Sequence, residues 1–478
     1  MISRLPLAAV VLSILVAACS GDGDAGEADG GQIAGAAAAS PGGGDGGPTA
    51  ERLSALIYWN ILDSSLLGSI VPQSQQEILR ALSEGDSDRA LPFLIDFVLL
   101  PSPYRGDAAG YLTDILGPRE RMNWVEDRGP REPADDLPEY LDFKRQLFST
   151  IQPEIGDFLD RALPRTISAQ EVFWGGVAVD GIPPLDDPVF ISPEQAGEWL
   201  LPSDQVIGVE INGDVRAYPR RIIDWHEMVN DTVGGVPVSL AYCTLCGSAI
   251  LYDGRVDDEL YRFGTSGLLY RSNKLMYDRN TRTLWEQYTG EPVWGPLVGS
   301  GISLDILPVV HTTWGEWVAD HPESLVLDID TGFSRDYGSG VAYGEYWVSP
   351  ELWFPAPVED ERLEDKDTVY AVRVDGELVA YPIETLATEG LIHDAIGSQP
   401  LVVLASADGS GGRAYESGGL RFLPVSPGTL RSEDGRLWTV SEAALVGDDE
   451  TILARLPGHN SFWFAVINHH PNSRLYEP

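Results

Sequence analysis

Cys243 and Cys246 have two residues between them and are followed by a glycine, in the run Cys243-Thr244-Leu245-Cys246-Gly247-Ser248. Two thiols at that spacing can form a short-loop disulfide that is easily reduced, grip one soft metal, or act as an inert staple. The staple is the weakest reading, because closing so short a loop removes little chain entropy. A zinc ribbon would need a second Cys-x-x-Cys, and a thioredoxin-like site would open a helix with Trp-Cys; the sequence has neither. His226, in Trp225-His226-Glu227-Met228, precedes Cys243 by seventeen residues. An imidazole there can lower a thiol pKa, serve as a base or complete a metal site. The leading expectation is thiol–disulfide redox chemistry, with Cys243 attacking, Cys246 resolving and His226 tuning the thiolate. The alternative is a copper or zinc centre using Cys243, Cys246 and His226, joined by the thioether of Met276. The cofactor stays open between copper, zinc and none.

A third cluster follows in Phe263 to Gln287, where strands can aim polar side chains at one pocket. Ser266, Asn273, Tyr277, Asp278 and Arg279 are its pocket candidates, with Trp285 and Gln287 beside them. They also support a third reading, a non-catalytic ligand-binding protein. A reactive sulfur needs access, so the site is expected to open to solvent beside this cluster.

These residues need elements to hold them. Val236 to Tyr242 and Ala249 to Tyr252 read as two strands, which puts the Cys-x-x-Cys at the tip of a hairpin. Gly247 can supply the positive φ that such a tip requires. Backbone N–H groups at the tip are expected to favour thiolate.

The segment also belongs to an internal repeat. Val206–Pro219 (VIGVEINGDVRAYP) resembles Val369–Pro382 (VYAVRVDGELVAYP). Ala217 and Ala380 stand 163 residues apart, as do Pro237 and Pro400. Later, Trp314 and His321-Pro322 match Trp463 and His470-Pro471 at a separation of 149. On this register His226 faces Glu389, Cys243 faces Ser406 and Cys246 faces Gly409. The scaffold can thus be built without the histidine and cysteines, so their role is special to the first copy.

The expected fold is α+β: a helical module over 51–165, then two tandem related β-rich units over 170–335 and 365–478, the second degenerate. Helical spacing appears in Ile78–Leu82, in Ala90–Ile95 and in Tyr140–Leu159, the last interrupted by Pro153. Ahead of these, Arg4 and the apolar run Leu5–Leu15 lead to Val16-Ala17-Ala18-Cys19. That pattern is a lipoprotein signal over 1–19 with a lipid on Cys19. Residues 20–50, rich in Gly, Ala, Asp and Ser, read as a flexible tether. The expected location is the extracytoplasmic face of the cell envelope, with the membrane reached through the lipid anchor and a redox protein as partner. Only Cys243 and Cys246 then remain as thiols, in a compartment where disulfides persist. With 73 acidic and 32 basic residues the formal charge is −41. Such a chain is repelled by phosphate backbones, which excludes nucleic acid as a partner. Just three residues are lysine, Lys144, Lys274 and Lys366.

Several runs are similar to one bacterial family. They are DGIPPLDDP (180–188), AYP with WHEMVND (217–231), AYCTLCGSA (241–249), FGTSGLLYRSN (263–273), LMYDRNTRTLWEQ (275–287) and TTWGEW with His-Pro (312–322). Together they resemble the domain of unknown function 3179 over about 170–478. The resemblance implies an exported or anchored protein and carries over His226, Cys243 and Cys246, with Ser266, Asn273, Met276, Tyr277, Asp278 and Arg279 as pocket candidates. Thr244 departs from the proline expected there.

Overall fold

The computed structural model describes residues 91–93, 95–96, 123–149 and 151–478. The signal peptide, Cys19, the tether and most of the 51–122 stretch lie outside the described residues. The described chain is α+β and strand-rich.

Two short helices lead in, Pro138–Ser149 and Pro153–Phe158, each opening on a proline at its first turn, where the missing N–H costs nothing. Tyr140, Leu141, Phe143, Leu147 and Phe148 recur at helical spacing and are buried. They pack with Ile155 and Phe158 on Val172, Phe173, Leu268, Leu275, Leu284 and Trp294. The helices therefore roof an antiparallel sheet of Val172–Trp174, Phe263–Tyr270, Asn273–Asp278, Leu284–Glu286 and Glu291–Trp294. Lys144 lies inside this layer on Asp96, at 3.0 Å.

One order of elements occurs twice. Strands Gln205–Ile211 and Asp214–Pro219, helix Arg220–His226, and strands Met228–Val233 and Val236–Cys243 form the first run. Strands Thr368–Val374 and Glu377–Pro382, helix Ile383–Glu389, and strands Leu391–Ile396 and Gln399–Ala405 form the second. Downstream, strand Val310–Thr313 returns antiparallel to Gln205–Ile211, and Leu325–Leu327 runs parallel to Asp214–Pro219. In the second run Gly458–Phe462 returns to Thr368–Val374, and Arg474–Leu475 runs parallel to Glu377–Pro382. The two runs share a core in which Met228, Cys243, Cys246 and Met276 pack with Val369, Ala371, Ala380, Phe462, Trp463 and Phe464.

Between the runs, the stretch Tyr343–Phe354 crosses over this shared core. Tyr346 is buried and its hydroxyl donates to Leu245 O at 2.7 Å. Lys366 holds the stretch from the far side, donating to Tyr346 O and Ser349 O, with its ammonium 3.2 Å from the centre of the Tyr346 ring. Among the described residues no helix is long and apolar enough to cross a membrane.

Candidate functional site

The strand Val236–Cys243 ends in a 3-10 turn over Thr244–Cys246, and the chain returns along Ser248–Asp253. Gly247 makes the reversal with φ of 60°, in the left-handed region. A Cβ at Gly247 would lie 3.4 Å from Phe462 of the second run. The turn thus places both sulfurs on one side, 2.9 Å apart.

A second hairpin meets this tip. Phe263–Tyr270 turns into Asn273–Asp278 through Arg271 and Ser272, with φ of 47° and 62°. Two-residue hairpins of this kind favour Asn-Gly, and side chains larger than these pay for the left-handed conformation. The arrangement is held by Arg271, which pairs with Glu171 and donates to Asn468 O, and by Ser272 Oγ, which donates to Phe354 O at 2.6 Å. It delivers Ser272 O to within 3.6 Å of Cys246 Sγ and 3.9 Å of Cys243 Sγ. Asn273 Nδ2 donates to Cys246 Sγ at 3.3 Å and to Gln287 Oε1 at 2.6 Å. Gln287 Nε2 then donates to Ala241 O, closing a polar ring around the thiols.

The sulfurs are sealed. Cys243 is 2% exposed and Cys246 is fully buried. The expected opening to solvent is therefore absent from this conformation, because Tyr343–Phe354 covers the turn. Burial pushes the Cys246 thiol well above its ordinary range, and the Cys243 sulfur beside it pushes the same way, while Asn273 pulls down. The partners of the sulfurs are an amide and a carbonyl rather than a fan of backbone N–H groups, so this geometry favours thiol at Cys246 in place of the expected thiolate.

His226 does not join the sulfurs. It ends the helix Arg220–His226 and points away: Nδ1 donates to Pro183 O at 2.7 Å and Nε2 accepts from Tyr337 Oη at 2.6 Å. The carbonyl fixes the tautomer, and burial lowers the imidazole pKa to about 4. The mismatch with Glu389 marked a real difference between the two runs, but the histidine uses one nitrogen on Pro183 and the other on Tyr337.

A metal does not fit these residues. With both His226 nitrogens engaged, Cys243 and Cys246 lack the third donor assigned to them. Among the described residues no group of three or more His, Cys, Asp or Glu side chains is placed to hold a metal ion. Two thiolates on one tetrahedral ion at about 2.3 Å would sit about 3.8 Å apart, wider than the spacing here. Met276 is buried in the same core as the cysteines, packed as an apolar side chain.

The other pocket candidates divide. Asn273 touches a sulfur. Ser266 Oγ donates to Leu275 O and accepts from Leu268 N, closing a bulge in its strand. Tyr277 donates to Asp180 at 2.6 Å, and Arg279 pairs with Asp186 at 2.7 Å. Asp278 receives Thr281 N, Thr283 N and Trp285 Nε1, which makes it the organiser of a turn. These last three hold strands together, and no shared ligand pocket forms among them.

The residues beside the sulfurs that spacing did not single out are Glu227, Lys274 and Tyr343. Lys274 is buried, with Nζ 3.5 Å from Glu227 Oε2 and donating to Glu227 O at 2.8 Å. That same carbonyl accepts Tyr242 N, one residue before Cys243. Tyr343 Oη donates to Glu227 Oε1 at 3.2 Å. Burial lowers the Lys274 pKa, while Glu227 and then Cys243 raise it, which places the amine within the field of the Cys243 sulfur. A cavity of about 40 Å³ is lined by Glu227, Leu245, Ser266, Lys274 and Tyr343 together with Trp353 and Phe354. Two signals for this group were present in the sequence: the rarity of lysine, and the register that sets Glu227 opposite Gly390.

A family model described as "Protein of unknown function (DUF3179)" matches residues 179–473. That is more than half of the chain, and the chain belongs to this family. No curated protein and no solved structure gave a significant match.

Proposed function

We propose that Cys243 and Cys246 are a redox-active dithiol–disulfide couple, in a protein held at the extracytoplasmic face of a membrane by a lipid on Cys19. The observation that carries the redox reading is the approach of two free thiols to 2.9 Å on one turn. Small side-chain rotations convert that approach to a bond of about 2.05 Å. In the oxidising direction, the couple gives up two electrons and two protons to an acceptor. Where the acceptor is a disulfide, the Cys243 thiolate attacks it and releases one thiolate, and Cys246 then displaces the second, which leaves the Cys243–Cys246 disulfide; a donor dithiol attacking that disulfide runs the exchange backwards. Cys243 is the attacking sulfur in this reading because its field reaches the Lys274 amine, whereas burial pushes the Cys246 thiol well above its ordinary range.

The test is an equilibrium titration of purified protein in thiol–disulfide buffers, read by intact mass and thiol count. A reversible change of about 2 Da with loss of both thiols supports the couple; thiols that stay reduced at every poise overturn it. The anchor rests on the Val16-Ala17-Ala18-Cys19 box. Cys19→Ser should release the protein from the membrane fraction, and a variant that stays bound would remove the lipid reading.

A further inference from the structure

Glu227 takes a backbone conformation that its side chain does not favour. It caps the helix Arg220–His226 with φ of 55°, in the left-handed region. In the second run the equivalent position, after helix Ile383–Glu389, is Gly390 with φ of 69°. The scaffold asks for glycine here, and the copy without cysteines has it. The copy with cysteines accepts the strain and gains a carboxylate against Lys274. A buried lysine paired to a buried carboxylate is costly to assemble, and here both line the cavity described above, along with Tyr343 and with Leu245 of the Cys-x-x-Cys turn.

Neither sulfur lines that space; it meets the turn at Leu245, the residue before Cys246, and lies against Lys274, and its size limits what can approach the turn from this side. About 40 Å³ holds a few atoms of a water-sized molecule. A protein disulfide, flanked by its own backbone, cannot enter beneath Tyr343–Phe354 without displacing the stretch that Ser272, Leu245 and Lys366 tie down.

We propose that Glu227, Lys274 and Tyr343 form the polar end of a small-oxidant site serving Cys243, with a hydroperoxide as the substrate class and Lys274 as the proton acceptor. This rests on the dithiol reading and names its substrate. Lys274 passes a proton to the Glu227 carboxylate and, now a neutral amine, takes the Cys243 proton. The thiolate attacks one peroxide oxygen, the O–O bond breaks, and the leaving hydroxide recovers the proton from the ammonium as water. Cys243 is now a sulfenic acid. Cys246 attacks its sulfur, the S–S bond forms, and the sulfenic oxygen leaves as water with the Cys246 proton. Two thiols and one hydrogen peroxide give one disulfide and two waters; an organic hydroperoxide leaves as its alcohol in place of the first water. Glu227 and Tyr343 hold the amine in place between proton transfers.

The experiment follows disulfide formation by thiol count in reduced protein mixed with hydrogen peroxide, against oxidised glutathione at equal concentration. Peroxide is expected to react at least about tenfold faster, since only it fits the cavity. Lys274→Met should slow the peroxide reaction on the order of 10²-fold and change its pH profile. Glu227, Cys243 and Asp180 are the titratable groups that act on the lysine; the exposed Asp449, which pairs with Arg436 and does not act on it, supplies the control, Asp449→Asn, that leaves the rate standing. Lys274→Met leaves a buried carboxylate alone, so the doubly neutral Lys274→Met/Glu227→Gly protein is measured as well, its fold checked by circular dichroism. Oxidised glutathione reacting as fast as peroxide, or a folded double variant that keeps the parent rate and pH profile, overturns the proposal. The equilibrium titration above fails separately: a couple that titrates but ignores peroxide sinks this inference alone.

Discussion

The two runs of this chain pair their strands in the same register. Val206 faces Pro219 and Ile207 faces Tyr218, as Val369 faces Pro382 and Tyr370 faces Tyr381. They part company at three places. After the first helix stands Glu227 in one and Gly390 in the other. At the end of the fourth strand stands the Cys-x-x-Cys turn in one and Ser406 to Gly409 in the other. Before the returning strand, the first run interposes Phe263–Trp294, which forms a separate sheet with Val172–Trp174 and sends Asn273, Lys274 and Gln287 back to the sulfurs. The second run spends the same interval on strands Phe422–Ser426 through Ile452–Leu456, which simply widen its own sheet to eight strands. A repeated scaffold tolerates chemistry at its loops and insertions, where few ladder bonds are at stake. The copy without cysteines also supports the one that has them, because Phe462 packs against Gly247.

The sharpest way to break the comparison is to make the first copy read like the second. Cys243→Ser with Cys246→Gly should abolish the thiol–disulfide couple outright while leaving the melting temperature within a few degrees, roughly the change of about 1 kcal/mol expected for a domain of this size. A protein that no longer folds would show that the scaffold depends on the sulfurs. Next comes the ion pair. Lys274→Met should cost about 3–5 kcal/mol in urea unfolding by stranding Glu227. Adding Glu227→Gly should recover part of that loss, so the double variant is more stable than the two single costs together imply. Strict additivity would mean that the pair is not coupled.

The histidine is expected to matter for stability and not for sulfur chemistry. Its pKa is lowered in the fold to about 4 from an ordinary value near 6.5. The stability it contributes is present above the unfolded value and is lost as pH falls through the folded one. His226→Gln should therefore flatten the acid limb between about pH 6.5 and 4, by up to about 3 kcal/mol, with unchanged kinetics of disulfide formation. Slower oxidation in that variant would return His226 to the mechanism. The smallest effect belongs to the converse change. Gly390→Glu has open space around it but meets the same left-handed backbone, so a loss of about 1 kcal/mol is expected. A neutral result would mean that Glu227 is not strained either.

What could be read in the sequence was local or repeated. The Cys-x-x-Cys-Gly turn announces itself because its geometry depends on Gly247 and on the two strands that flank it. The repeat shows because Tyr-Pro and Trp with His-Pro blocks survive at fixed separations. Asn273 was among the pocket candidates, but Lys274 and the Ser272 carbonyl escaped notice because the partners of the sulfurs arrive from far along the chain. Asn273 and Lys274 are brought by a hairpin turned through Arg271-Ser272, a pair that carries no turn signal. His226 was expected beside the sulfurs, but which way an imidazole points depends on Pro183 and Tyr337, forty-three and 111 residues away. The lid Tyr343–Phe354 fell between the two expected units, where no periodicity marks it.

The lysines have one more consequence. Lys144 and Lys274 are 1% and 4% exposed, and Lys366 is tucked against the Tyr346 ring. A reagent that seeks primary amines would find Lys366, which is partly exposed and whose amine pKa burial lowers to about 8. Activated-ester dyes and amine cross-linkers should mark the native protein there and reach Lys144 and Lys274 only as it opens. Label uptake at Lys274 would then report, residue by residue, the moment the cover over the thiols lifts.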